Sequence, residues 1–115
     1  MLELLQIASK VANINADKYR KSIIGAVAIR KDGVLVSGRN ISIKDRVLGK
    51  NITHAETRVL RKSGFGSTVY VARILRNGNL AMAKPCCFCM AALKARGVKI
   101  VYYTISDTEW KAIKL

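Results

Sequence analysis

The stretch SIIGAVAIRKDGVLV, residues 22–36, is the part of the sequence that most clearly indicates a fold. Its two ends are short runs of apolar, largely β-branched residues, and Lys31-Asp32-Gly33 between them is a typical turn sequence. The stretch therefore predicts a β-hairpin near the start of the chain.

The residues on both sides of this hairpin predict an alternation of helices and strands. Apolar residues at helical spacing indicate helices, and compact β-prone runs indicate strands. The predicted order is helix, hairpin, helix, strand, helix and strand, at residues 2–20, 22–36, 53–62, 67–75, 86–96 and 99–105. No linker or repeat interrupts it, so we expect one α/β domain spanning residues 1–115.

Three further segments have less regular patterns. Residues 38–51 are polar and basic without periodicity, which is typical of a loop with a function. Residues 76–79 form a tight-turn sequence, and Gly97 is suited to end the third helix. The tail, residues 106–115, fits a last short strand or a helix equally well.

The charge and the cysteines narrow the class of protein. The 115 residues include 21 Lys and Arg against 7 Asp and Glu, a net charge of +14 that would attract partners carrying phosphate. A basic surface that only keeps the protein in solution, without binding a partner, is an alternative explanation of the same net charge. The three cysteines fall within four positions and are unlike a disulfide framework, so we expect a reducing, cytoplasmic setting.

The N-terminal apolar stretch does not have the features of a membrane anchor or a signal peptide. Glu3 and Gln6 interrupt it, and Lys10 closes it well short of the roughly 20 residues that a span requires. No membrane partner is expected.

Two motifs, His54-Ala55-Glu56 and Pro85-Cys86-Cys87-Phe88-Cys89, carry the chemistry. His54 falls at the start of one predicted helix, and Cys86 and Cys89 share one face in the first turn of another. One imidazole and two thiolates give three ligands for Zn²⁺ and leave the fourth position to a water, whose pKa zinc lowers to about 7. Glu56 is then available to carry a proton.

Each motif also has a simpler explanation. Thr53 to Glu56 fits a capping box, in which Glu56 reaches back to the start of its own helix. A Cys-x-x-Cys pair can be redox-active, and Cys87 could complete a purely structural Cys3His zinc site. The joint presence of both motifs at two predicted helix starts favours the catalytic interpretation.

His-x-Glu followed by Pro-Cys-x-x-Cys is the signature of zinc deaminases, and the chain resembles the cytidine deaminase superfamily. The stretch 24–33 is similar to the family's first hairpin, and 97–102 to its strand after the second zinc helix. The resemblance implies a three-layer α-β-α fold, a mixed sheet flanked by helices. It also implies hydrolytic deamination, in which a zinc-activated water attacks C4 of cytosine or C6 of adenine while Glu56 moves the protons.

The resemblance further implies which residues contact the substrate. Asn40 closes the second predicted strand, as the substrate-binding Asn does in the deoxycytidylate and tRNA adenosine deaminase branches. Ala55 and Arg39 are the other expected contacts, with Arg39 available for a phosphate. An Asn that merely ends a strand at a turn is the alternative for Asn40.

We therefore expect a deaminase that converts cytosine to uracil in a free nucleoside or nucleotide, with Zn²⁺ as cofactor and a homo-oligomeric assembly. The first alternative is a deaminase of cytosine or adenine in single-stranded DNA or RNA. It is suggested by the charge and by basic residues near the motifs, among them Lys44, Arg73, Arg76 and Lys84. The second is a nucleic-acid-binding module with a structural zinc.

Overall fold

The computed structural model describes residues 2–13, 22–39, 66–75 and 77–115. Within these ranges the chain forms two helices and six strands. In chain order they are α1 (Glu3–Asn13), β1 (Ser22–Ile29), β2 (Leu35–Arg39), β3 (Thr68–Leu75), β4 (Leu80–Ala81), α2 (Cys87–Ala95), β5 (Ile100–Thr104) and β6 (Trp110–Lys114). The predicted helix at 53–62 and most of the predicted loop at 38–51 lie outside the described residues.

The strands form one mixed sheet in the order β2-β1-β3-β5-β6. β3 and β5 are parallel, whereas β1 is antiparallel to both of its neighbours, β2 and β3, and β6 is antiparallel to β5. The two-residue strand β4 pairs with the end of β3. Residues 110–114 of the tail therefore form a strand, which settles the choice between strand and helix that its sequence left open.

The predicted hairpin is confirmed, and its turn has its own hydrogen bonds. The Arg30 amide donates to the Val34 carbonyl at 2.9 Å, and the Gly33 amide donates to the Arg30 carbonyl at 2.9 Å. Asp32 accepts from the Val34 amide at 3.1 Å. Gly33 has a φ of +87°, a conformation that glycine adopts without strain. The turn sequence thus contains most of what is needed to form the hairpin.

The sheet has a helix on each face. On one face α1 packs Ala8 against Val27 and Ala72. On the other face α2 contributes Leu93 to the larger core, which includes Val69 and the rest of the buried residues Ala26, Ala28, Val71, Ala83, Val98, Val101 and Tyr103. Side chains alternate between the faces along β1 and β3, as expected for strands covered on both sides. The predicted three-layer α-β-α architecture is confirmed.

The end of α2 is closed by a Schellman motif. The Gly97 amide donates to the Lys94 carbonyl at 3.0 Å, and the Val98 amide donates to the Leu93 carbonyl at 3.1 Å. Gly97 has a φ of +71°, and Leu93 and Val98 are both buried in the same core. Gly97 is therefore the helix stop that its position in the sequence predicts.

The first helix, predicted over residues 2–20, begins at Glu3 and extends to Asn13, and residues 14–21 lie outside the described ranges. The negative charge of Glu3 in its first turn and the positive charge of Lys10 in its last turn both interact favourably with the helix dipole and stabilise α1. No helix in the described part of the chain is long and apolar enough to cross a membrane.

Candidate metal centre and active site

The motif cysteines lie where the chain enters α2. Cys86 is the N-cap residue, with an extended backbone (φ −68°, ψ 169°), and its sulfur accepts a hydrogen bond from the Cys89 amide at 3.5 Å. The Cys86 carbonyl accepts from the Met90 amide at 2.8 Å. Cys86 thus has the capping role that Ser or Thr usually takes. The prediction had placed Cys86 inside the first helical turn, whereas the structure places it one residue before the helix.

The three cysteines differ in exposure. Cys89 is 1% exposed, and Cys86 and Cys87 are exposed. None of the three is in a disulfide. The bond from the Cys89 amide ties Cys86 and Cys89 together at the N-terminus of α2, and Cys87 has no part in it. Two sulfur atoms held at a helix N-terminus are a donor set that suits Zn²⁺.

The chain segment that leads into α2 is held in place by the buried residues on both sides of Lys84. Ala83 and Pro85 are buried, and the Ala83 amide donates to the carbonyl of Thr104 at 2.9 Å. Thr104 is the last residue of β5, so Cys86 starts α2 near the carboxyl ends of the parallel strands β3 and β5. This edge of a sheet is where α/β proteins commonly place their binding sites.

Sequence reasoning missed the contribution of Thr104 to this arrangement. Its side chain is fully buried, its hydroxyl donates to the Ala81 carbonyl at 2.7 Å, and it accepts from the Arg73 amide at 3.3 Å. These bonds join β5 to the junction of β3 and β4, directly before the cysteine motif. No local sequence signal marks this threonine, because its partners lie 23 and 31 residues away.

The other predicted site residues lie outside what the structure describes. This applies to Asn40, His54, Ala55 and Glu56, while Arg39 is described in its backbone alone, at the end of β2 opposite Gly25. Within the described ranges no three His, Cys, Asp or Glu residues come together as a metal site. The ligand roles of Cys86 and Cys89, like that of His54, therefore remain predictions.

The predicted phosphate contacts near the motif differ in accessibility. Lys84 is exposed beside Pro85, whereas Arg73 is half-buried in β3. Arg76 lies outside the described residues. Two apolar side chains also face solvent around the cysteines, since Phe88 is 68% exposed and Met82 is 48% exposed.

Comparison with known families and structures identifies the class of protein. Residues 2–105 match the family described as the cytidine and deoxycytidylate deaminase zinc-binding region. Because the match covers most of the chain, the chain belongs to this family, which is zinc-binding. Comparison with curated protein sequences gave no significant match.

The fold is similar to that of solved cytidine deaminases. A cytidine deaminase from Burkholderia pseudomallei superimposes with a TM-score of 0.74 at 17% identity, over 99% of this chain and 93% of that one. A cytidine deaminase from Mycobacterium tuberculosis has a TM-score of 0.58 at 25% identity, over 88% and 80%. One from Mycobacterium leprae has a TM-score of 0.62 at 19% identity, over 95% and 89%. The whole described architecture is therefore that of a cytidine deaminase fold.

Proposed function

We propose that the protein is a zinc-dependent hydrolytic deaminase that converts cytosine to uracil in a free nucleoside or nucleotide. The observation that carries this proposal is the pairing of Cys86 and Cys89 at the N-terminus of α2, near the carboxyl ends of β3 and β5. The family supports the reaction class, and the similarity to the cytidine deaminase of Mycobacterium tuberculosis favours cytosine over adenine.

The topology supports a meeting of His54 with these cysteines. β2 and β3 are each antiparallel to β1 and so are parallel to one another. β5 is parallel to β3, so β2, β3 and β5 all end at one edge of the sheet, the edge near which Cys86 begins α2. In the sequence His54 follows β2 and the cysteines follow β3, and this order supports a site at that edge.

The proposed roles follow from this arrangement. His54, Cys86 and Cys89 would hold the zinc ion. Glu56 would carry one proton of the water to the ring nitrogen and the second proton to the departing amine, which leaves as ammonia. Zinc would supply a Lewis acid and a water that ionises near neutral pH. Asn40, Ala55 and Arg39 would contact the base, the sugar or a phosphate.

A substrate panel tests the proposal. Zinc-loaded protein is incubated with cytidine, deoxycytidine and their monophosphates, and ammonia and the uracil product are measured. We expect turnover of at least one of the four. If none is deaminated by protein with a full zinc content, the proposed function is wrong.

Three variants separate the assigned roles. Glu56→Gln should keep zinc while lowering turnover by about 10²–10⁴-fold, the usual contribution of a general acid or base. Cys89→Ala should lose zinc as well. Cys87→Ala is the matched control and should keep both, because Cys87 is exposed and takes no part in the bond between Cys86 and Cys89. Loss of zinc from Cys87→Ala would instead favour a structural Cys3His site.

The second candidate function is deamination of a base in single-stranded DNA or RNA. The net charge of +14 favours it, because such a field concentrates polyanions. Oligonucleotides containing cytosine or adenine are added to the same panel, with base conversion detected by sequencing. Conversion in oligonucleotides without turnover of free nucleosides would replace the first proposal by the second.

We also propose a homo-oligomer in which a second copy covers the surface around the cysteines. The exposure of Phe88 and Met82 supports this, since large apolar side chains gain from burial in an interface. Light scattering coupled to gel filtration measures the mass in solution. A monomer at all concentrations would contradict the proposal.

A further inference from the structure

A second candidate binding site lies at the edge of the sheet opposite to Cys86. It is a cleft of about 310 Å³, here called the basic cleft, and the described residues that line it are Lys31, Gly66, Gly97 and Lys99. Lys31 lies just after β1, and Gly66 and Lys99 lie just before β3 and β5. Because β1 is antiparallel to β3 and β5 is parallel to it, these three positions meet at the amino ends of β3 and β5.

Two glycines line the basic cleft, and because glycine has no side chain they contribute only backbone atoms. Gly66 and Gly97 have φ values of +80° and +71°. The Gly66 amide donates to the Arg96 carbonyl at 3.2 Å, and the Schellman motif fixes Gly97. The two segments are therefore joined directly, and no side chain at either glycine fills the space between the lysines.

The charges around the basic cleft are almost all positive. Asp32 is the only acidic residue in the segments 30–34, 66–68 and 94–100 that surround it. That carboxylate already forms an ion pair with Arg30 at 3.1 Å and accepts a hydrogen bond from the Val34 amide.

The lysines of the cleft keep their charge available for a ligand. Lys31 and Lys99 are both exposed, and the described part of the chain places no carboxylate in an ion pair with either. Arg96, also exposed, and Lys94 add positive charge at the end of α2. A ligand in the cleft would therefore meet two lysines that are not paired with a carboxylate of the described residues.

We propose that the basic cleft binds the phosphodiester backbone of a single-stranded nucleic acid. Its volume is that of a small-ligand pocket, enough for a sugar-phosphate unit and more than a lone phosphate needs. Lysines recognise phosphate as point charges and suit a backbone contact that does not depend on sequence. The net charge of +14 complements a polyanion far better than a single small anion.

The basic cleft is distinct from the proposed zinc site. The nine residues of α2 separate Cys86 from the turn at Gly97, and a helix of that length spans about 14 Å. A bound strand would thus be anchored far from the cysteines, and the inference does not rest on the proposed deamination.

Binding of a fluorescently labelled single-stranded oligonucleotide tests the proposal without any turnover. Anisotropy titrations over a range of salt compare the wild type with Lys31→Ala/Lys99→Ala. Each phosphate contact on a single strand contributes about 0.7 to the slope of log K against log salt, so two lost contacts should reduce the slope by about 1.4.

The matched control is Lys10→Ala/Lys111→Ala, which removes two exposed lysines from α1 and β6. We expect this variant to keep most of the wild-type slope. Equal losses in both double variants, or no loss in either, would overturn the proposal, since binding would then be diffuse or elsewhere. Thermal unfolding of each variant checks that the fold is intact.

A second readout needs no substitution. In NMR spectra of the wild type, the oligonucleotide should shift the amide resonances of Gly66 and Gly97, which form the wall of the cleft. If inorganic phosphate shifts these resonances and the oligonucleotide does not, the cleft binds a free anion and the proposal is wrong.

Discussion

Replacing Thr104 by valine should weaken the junction that carries the cysteine motif. The Thr104 hydroxyl is fully buried and makes two hydrogen bonds, to the Ala81 carbonyl at 2.7 Å and from the Arg73 amide at 3.3 Å. Valine keeps the shape of threonine and removes both bonds. The perturbation is therefore confined to the place where β4 and β5 meet the end of β3.

The magnitude follows from the loss of hydrogen bonding in a buried setting. Leaving a buried polar group without its partner costs about 1–3 kcal/mol, and the 2.7 Å bond is the stronger of the two. The extra buried methyl group of valine recovers about 0.8 kcal/mol. Two groups, the Ala81 carbonyl and the Arg73 amide, lose their bond to Thr104, so we expect the free energy of unfolding to fall by about 1–5 kcal/mol. That is a large fraction of the roughly 5–15 kcal/mol typical of a folded domain.

Urea unfolding of metal-free protein, followed by circular dichroism, measures this change. Ser67→Ala is the matched control, because the Ser67 hydroxyl is equally buried but has no hydrogen-bond partner among the described residues. This variant should leave the free energy of unfolding unchanged or raise it by about 1 kcal/mol. If Thr104→Val is as stable as the wild type, or if both variants lose the same amount, the reasoning about the junction is refuted.

Three further predictions concern the sheet and the end of α2. Burial, and then the neighbouring phenol of Tyr102, raise the pKa of Tyr70 above its ordinary value of 10.0, so stability from the neutral phenol is lost as the pH rises beyond that value. Urea unfolding across a pH series should show a shallower alkaline decline for Tyr70→Phe; an unchanged profile would contradict this. Gly97→Ala should cost about 1 kcal/mol in the same unfolding assay at neutral pH, because alanine is strained at a φ of +71°, and an unchanged midpoint would count against it. Leu93→Ala should cost about 2–5 kcal/mol, since Leu93 is fully buried, and a loss below 1 kcal/mol would mean that the core closes around the gap.

The elements that sequence reasoning predicted best are those whose local chemistry is self-contained. The Asp32-Gly33 turn holds its own hydrogen bonds, and Gly97 ends α2 through bonds to residues within the same helix. A glycine at positive φ is recognisable without knowledge of the rest of the fold. This is why the hairpin and the helix stop could both be placed from sequence.

The elements that were missed or left open depend on distant partners. β4 has two residues, too few to show an alternating pattern, and exists through its pairing with β3 and the bond from Thr104. β6 forms because each of its residues pairs with β5. Neither strand can be assigned from its own residues, because tertiary contacts outweigh local propensity in such short segments.

The candidate site shows the same division. The spacing of Cys86 and Cys89 predicts that both sulfurs bind one metal ion, which stays a prediction, and the structure shows the Cys89 amide donating to the Cys86 sulfur. The N-cap position of Cys86 was missed, because element boundaries depend on capping geometry that a pattern does not contain. The basic cleft could not be predicted, since it joins three segments that are separate in the sequence.

The chain has one tryptophan, Trp110, and it lies at the start of the edge strand β6. Its ring is 5.8 Å from that of Tyr102, which in turn stacks on Tyr70 at 4.7 Å. Excitation energy absorbed by Tyr70 and Tyr102 should therefore transfer efficiently to the indole ring of Trp110. The intrinsic fluorescence of the unlabelled protein should report whether its last strand is docked, and a change in that emission separates fraying at the C-terminal edge from events at the cysteines.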